Sequence, residues 1–123
     1  MNSKLTVLVV EDSPSEMLLI SGYLRESGYN VINAYSGKEA MEKAMEQRPD
    51  VVVTDVVMPG MNGFELCRSL KKHPSTQKIP VVACTSKDQE LDRLWGMKQG
   101  IDIYLTKPAT QEKIVRAVRA AVI

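Results

Sequence analysis

Short apolar runs alternate with longer amphipathic ones along the chain. The apolar runs fall at Leu5–Val10, Asn30–Ala34, Val51–Thr54, Pro80–Cys84 and Ile103–Leu105. The β-branched run at Val51–Thr54 reads as a strand buried on both faces, as in a parallel sheet. Between the runs, Pro14–Glu26, Gly37–Glu46, Gly63–Lys72, Asp88–Lys98 and Gln111–Val122 carry helical spacing. In the last of these, Ile114, Val115, Val118 and Val122 recur on one face, with Lys113, Arg116 and Arg119 away from it. Ser13-Pro14-Ser15-Glu16 offers a capping serine, a proline at the first helical position and a returning glutamate. Ser36 with Glu39, and Asn62 with Glu65, repeat that logic, while Gly28 and Gly100 suit the left-handed geometry of a helix stop. Five strand–helix repeats joined by short connections predict a single doubly wound α/β domain. Its five-stranded parallel sheet would carry five helices on its two faces, the flavodoxin-like arrangement.

Length and composition agree with one domain. The chain has 123 residues, 44% hydrophobic and 25% charged, with a formal net charge of +1. That balance gives no reason to expect nucleic acid or an anionic membrane as a partner. No apolar run approaches the roughly 20 residues of a membrane span, so no membrane insertion is expected. The amino terminus, Met1-Asn2-Ser3-Lys4, leads straight into a strand and lacks the apolar region of a signal peptide. Cys67 and Cys84 are too few and too far apart for a disulfide framework or a zinc site, and read as reduced core residues. The expected location is the cytoplasm.

The candidate chemistry lies at the strand ends. In a doubly wound sheet the carboxyl ends of the strands converge on one edge. That edge would present Glu11 and Asp12 from the first strand, Asp55 from the third, Thr85 and Ser86 from the fourth, and Lys107-Pro108 from the fifth. Clustered carboxylates repel unless a cation compensates, and hard oxygen donors of this kind suit Mg²⁺. The metal and the Lys107 ammonium would neutralise a phosphoryl group arriving at Asp55, and the Thr85 hydroxyl could donate to one of its oxygens.

These residues resemble the receiver domains of two-component response regulators, the CheY-like family, from about Lys4 to Val122. The matching motifs are Val9-Val10-Glu11-Asp12-Ser13, the run from Asp55 through Met58-Pro59-Gly60 to Gly63, Val81-Val82-Ala83-Cys84-Thr85-Ser86, and Tyr104-Leu105-Thr106-Lys107-Pro108. Any one alone is weak; their order and spacing together are specific. The resemblance implies that Asp55 is the phosphoacceptor and attacks the phosphohistidine of a partner histidine kinase. It implies that Asp12, Asp55 and the backbone carbonyl of Val57 bind Mg²⁺, with Glu11 acting through water. Thr85 and Lys107 would contact the phosphoryl oxygens. Tyr104 matches the family's switch aromatic, which swings inward as Thr85 moves toward the phosphate, although an inert core tyrosine would read the same way. The implied output is a protein partner docked on the fourth helix, fifth strand and fifth helix. The chain would then be a switch, not an enzyme, catalysing only its own phosphorylation and dephosphorylation.

Several positions depart from the family pattern. Glu11 stands for the commoner Asp, Ser86 for a smaller residue, Ala109 for the frequent Phe after Lys-Pro, and Ile101 for Ala. Val57 and Lys87 flank the path of an attacking water, which leads to the expectation of a long-lived phosphorylated state. His73, before Pro74, reads as a solvated loop residue, and most of the seven methionines as core fillers. Trp95 suits either a partner-binding anchor or packing against neighbouring helix side chains. The segment Thr85–Gly100, with its Trp95-Gly96 pair, is similar to receivers of type IV pilus twitching-motility systems.

Three other functions compete. A haloacid dehalogenase-type phosphatase needs a second Asp two residues after its nucleophile, where Val57 stands. A flavin or dinucleotide binder needs a glycine-rich loop after the first strand, where Glu11-Asp12-Ser13-Pro14 stands. A receiver that drains a shared kinase as a phosphate sink has the same sequence signature as one that drives an output.

Overall fold

The computed structural model describes residues 4–123; the expectation made for Met1-Asn2-Ser3 lies outside the described residues. The elements run β1 (Thr6–Val10), α1 (Pro14–Glu26), β2 (Asn30–Ala34), α2 (Gly37–Gln47), β3 (Val51–Thr54), α3 (Gly63–Lys72), β4 (Val81–Thr85), α4 (Glu90–Gln99), β5 (Ile103–Thr106) and α5 (Gln111–Ala121). The strands form one parallel sheet in the order β2-β1-β3-β4-β5. The expected doubly wound fold is therefore present.

The apolar runs lack polar alternation because both sheet faces are covered. Leu8, Val10 and Val52 face one core with residues of α2 and α3, while Val7, Val9, Val51 and Val53 face a second core with α1 and α5. All four residues of β3 are buried. β2 and β5 are the edges, and the β5 residues are only half-buried.

The connection from β1 goes to one side of the sheet and that into β3 to the other, so the winding direction reverses between β1 and β3. The crevice outside their carboxyl ends is where such sheets bind ligands. Val10 pairs with Thr54, and the Asp55 amide donates to the Val10 carbonyl at 3.0 Å, so Glu11 and Asp55 leave the sheet side by side.

The helix signals hold with local revisions. Asn62 and Glu65 form the full reciprocal cap. Ser36 accepts from the Glu39 amide, but Glu39 returns to Tyr35 N at 2.6 Å, one residue earlier than expected. Ser13 accepts from the Glu16 amide, while its own N–H goes to Glu11, which leaves the Glu16 carboxylate free to turn elsewhere. α4 begins at Glu90, two residues later than the spacing predicts, capped by Gln89, whose amide donates to Asp92 Oδ2 at 3.2 Å and whose carbonyl accepts from the Asp92 and Arg93 amides. α2 stops at Arg48, left-handed at φ 44°, where the following Pro49 disfavours helical geometry. Gly28 and Gly100 carry the positive φ expected of them.

One glycine positions the site directly. A Cβ on Gly63, the first residue of α3, would lie 2.2 Å from the Asp55 carbonyl oxygen. The Gly63 amide also donates to Val56 O at 3.0 Å. α3 therefore starts against the peptide that carries Asp55, an approach open only to a residue without a side chain.

Candidate functional site

Asp55 directly follows β3, with its carboxylate held on two sides. Its Oδ1 accepts from the amides of Val56 at 2.6 Å and Val57 at 3.2 Å. Its Oδ2 lies 3.3 Å from the Lys107 ammonium. Glu11, 1% exposed, takes a bond from Lys107 at 2.5 Å on Oε1 and one from the Ser13 amide at 3.2 Å on Oε2. Asp12 is exposed at the mouth of the crevice. Glu11, Asp12 and Asp55 each bring one carboxylate oxygen within 4.8 Å of the others.

Lys107 reaches this point because β5 pairs with β4 in register, Thr85 opposite Thr106, and the Lys107 amide donates to Thr85 O at 2.8 Å. Glu16, which escaped its expected capping role, lies 3.9 Å from the same ammonium. The signal that could have found it is its place in the first turn of α1, directly beyond the acidic strand end.

The charges are unequally matched. Burial raises the Glu11 pKa above its ordinary value of 4.5, and so does the Asp55 charge; the bonds from Lys107 and Ser13 offset this only in part. For Lys107, burial favours the neutral amine, but the Glu11 bond and the charges of Asp55, Glu11 and Glu16 outweigh it and raise the pKa. One ammonium thus serves several carboxylates, with negative charge left over. A cluster of hard oxygen donors with surplus negative charge and an open mouth fits Mg²⁺, and Glu11, Asp12 and Asp55 are the acids that could hold it. Val57 contributes its amide to Asp55 and sits half-exposed on the rim.

The crevice is a cavity of about 590 Å³. The acids line one end, and Leu19, Ile20, Tyr23, Ala109 and Ile114 form an apolar wall between α1 and α5. Cys84 lies in its floor as a buried thiol pushed up to about 11, and Cys67, on the buried face of α3, is pushed up to about 12. Both cysteines are free and buried, as expected.

Thr85 is fully buried, and its Oγ1 accepts from the Lys87 amide at 3.3 Å. The Tyr104 hydroxyl donates to the Lys87 carbonyl at 2.8 Å. Thr85 and Tyr104 are thus joined through the two backbone groups of one residue. The Tyr104 ring packs on Gly96 and lies under the Arg93 guanidinium, 5.0 Å from its centroid. Arg93 escaped the sequence reading because its contact depends on how α4 is rotated over β5.

Two further expectations meet the geometry differently. The Lys87 ammonium lies 3.9 Å from Asp92, on the first turn of α4, and Val57 stands half-exposed beside Asp55. His73 accepts from the Ser75 amide at 3.1 Å and is half-buried, a turn-forming residue more than a solvated one. Trp95 is 52% exposed and lines a second groove of about 380 Å³ with Val57, Phe64 and Lys87. Among the described residues no helix is long and apolar enough to cross a membrane.

The sequence model of the response regulator receiver domain matches residues 7–119. The chain belongs to that family. Receiver domains are signalling modules of two-component regulators and not an enzyme family in the usual sense. This one is 43% identical over 114 residues to the protein PilH of Pseudomonas aeruginosa, covering 93% of this chain and 94% of that protein. It is also 39% identical over 122 residues to the alkaline phosphatase synthesis transcriptional regulatory protein PhoP of Bacillus subtilis. There the match covers 98% of this chain but only 48% of the regulator.

Among solved structures, the chemotaxis protein CheY4 of Vibrio cholerae superposes with a TM-score of 0.92 at 30% identity, covering 97% of this chain and 99% of that one. The receiver domain of a sensor histidine kinase from Pseudomonas aeruginosa gives 0.90 at 27% identity and covers 98% of each chain. That structure has a magnesium ion coordinated in its active-site cleft.

Proposed function

We propose that this receiver domain, spanning residues 4–122, accepts a phosphoryl group on Asp55 from the phosphohistidine of a histidine kinase. The observation that carries the reading is the Asp55 carboxylate itself. It is fixed by two amides on Oδ1 and faced by Lys107 at 3.3 Å on Oδ2, with Glu11 and Asp12 beside it. The amides of Val56 and Val57 orient the nucleophile, so little reorganisation is needed when the donor arrives. A carboxylate oxygen attacks phosphorus, the phosphorus–nitrogen bond breaks, and the imidazole leaves with its electron pair and takes a proton. The Lys107 ammonium offsets the charge brought in by the phosphoryl oxygens. The Thr85 hydroxyl accepts from Lys87 and keeps its own proton to donate to one of those oxygens. Asp12, Asp55 and the Val57 carbonyl would hold Mg²⁺, with Glu11 acting through water; when bound, the ion supplies the remaining positive charge.

The output in this reading is a protein partner recognised on α4, β5 and α5, whose state Thr85 and Tyr104 report. The likeness to PilH supports a place in pilus-based motility, and the supply of phosphohistidine by kinases that consume ATP supports action in the cytoplasm. The test is transfer from a histidine kinase autophosphorylated with labelled ATP. Label moving to the chain as an alkali-labile adduct, absent in Asp55→Asn and without Mg²⁺, is the expected result. Transfer to Asp55→Asn at the wild-type rate contradicts it.

A further inference from the structure

α4 is the least anchored helix of the domain. Gly96 is its only buried residue, while Leu91, Leu94, Trp95 and Met97 are exposed. An element with so little burial is held by few contacts and moves at small cost. Among the described residues, Arg93 makes the side-chain hydrogen bonds that tie α4 to β5. Its Nη2 donates to Thr106 Oγ1 at 2.7 Å, and its Nη1 to the Tyr104 carbonyl at 3.4 Å. The same guanidinium covers the Tyr104 ring. An outward swing of the ring would give up this contact and the hydroxyl bond to the Lys87 carbonyl.

Beneath the ring, the Tyr104 hydroxyl holds the Lys87 carbonyl, and the Lys87 amide holds the Thr85 hydroxyl oxygen. Arg93, Tyr104, Lys87 and Thr85 therefore form one continuous set of contacts. It runs from the exposed surface of α4 to Thr85, which lies in the chain between Cys84 and Ser86 of the crevice lining.

We infer that Arg93 is a positioning residue that latches Tyr104 under α4 and so sets how Thr85 is presented to a phosphoryl group on Asp55. The second half of this rests on the proposed phosphorylation of Asp55; the first half does not. A Thr85 hydroxyl presented under the inward ring can donate to the phosphoryl oxygens as charge develops on them, so a group that holds the ring inward speeds phosphorylation. A guanidinium fork and a cation over an aromatic face are properties lysine does not reproduce together. The contacts are at the surface, so the effect on the inward population should be roughly threefold to tenfold.

The experiment compares the wild type with Arg93→Ala, Arg93→Lys, Tyr104→Leu and the Arg93→Ala/Tyr104→Leu pair, each checked for folding by thermal melting. The first readout is the amide spectrum of the unphosphorylated, Mg²⁺-free protein. Arg93→Ala should shift and broaden Ser86, Lys87 and Tyr104, and Arg93→Lys should recover less than half of the change. Amides of these three residues that stay unchanged in Arg93→Ala overturn the latch.

The second readout is the rate of labelling by acetyl phosphate with Mg²⁺. Arg93→Ala should slow it by roughly threefold to tenfold, and the effect should vanish in the Tyr104→Leu background. An equal loss in both backgrounds overturns the route through Tyr104, and an altered spectrum with an unchanged rate overturns the coupling to Thr85. A wild type that takes no label contradicts the phosphorylation reading, while the amide spectra still decide the latch.

Discussion

Replacing Gly63 with alanine tests whether the start of α3 sets the position of Asp55. The new Cβ would stand 2.2 Å from the Asp55 carbonyl oxygen, 2.8 Å from Val56 Cα and 3.0 Å from the Asp55 carbonyl carbon. Ordinary contact begins at 3.4 Å, and all three neighbours are backbone, so none can rotate aside. The helix start and the Asp55 peptide must part by more than 1 Å, straining the Gly63–Val56 hydrogen bond as they do. Overpacking of this kind costs about 1–3 kcal/mol, and rigid backbone on both sides puts it near the upper end. For a domain of this size that lowers the melting temperature by about 10 °C. Moving the peptide that carries a candidate metal ligand should also weaken Mg²⁺ binding about tenfold.

Gly22→Ala is the matched control. Gly22 lies inside α1 with nothing within 4 Å of the added methyl, so alanine should stabilise by about 0.5–1 kcal/mol. Thermal melting and Mg²⁺ titration by calorimetry read both variants. Gly63→Ala melting within about 2 °C of the wild type, with unchanged Mg²⁺ affinity, would refute the argument.

Other perturbations separate the roles of the charged groups. Lys107→Met leaves Glu11 buried without its ammonium, and should cost about 1–3 kcal/mol in thermal melts without Mg²⁺, part of it recovered on adding the ion. The carboxyl groups of Glu11 and Glu39 should titrate in opposite directions from 4.5, Glu11 above and Glu39 below, because burial dominates one and the Tyr35 amide the other. By linkage, Glu11 adds stability to the Mg²⁺-free protein as pH falls through its raised folded value toward 4.5. Glu39 contributes stability that is present above 4.5 and lost as pH falls through its lowered folded value. Carboxyl carbon NMR titrations of the wild type and of Glu39→Gln check both signs. Once phosphorylated, the wild type should hold its label for much longer than seconds. Val57→Asn should shorten that lifetime more than Lys87→Ala does, since the Lys87 ammonium is turned toward Asp92.

The strand ends were legible in the sequence because a parallel sheet buried on both faces imposes unbroken apolar runs, and an acid at the end of such a run has one edge to occupy. Glu11, Asp12, Asp55, Thr85 and Lys107 could all be assigned to that edge before any distance was known. Helix starts were legible where a short polar side chain precedes a glutamate by three residues, as at Asn62. What escaped depends on distance across the fold. Glu16 looked like a capping residue until Glu11 took the Ser13 amide, and the contact of Arg93 with the Tyr104 ring exists only once α4 is laid over β5. The late start of α4 is local instead: the Asp92 carboxylate takes the amide of Gln89, a residue type that does not read as a usual cap.

The most direct test of the central claim is the intact mass of the protein after incubation with acetyl phosphate and Mg²⁺. A small phosphodonor removes the unknown kinase from the question and leaves only the chemistry of the Asp55 crevice. A gain of one phosphoryl group, absent without Mg²⁺ and absent in folded Asp55→Asn, is the result the account predicts. A phosphoryl group that persists in Asp55→Asn, or a folded wild type that stays unmodified with Mg²⁺ present, would contradict it.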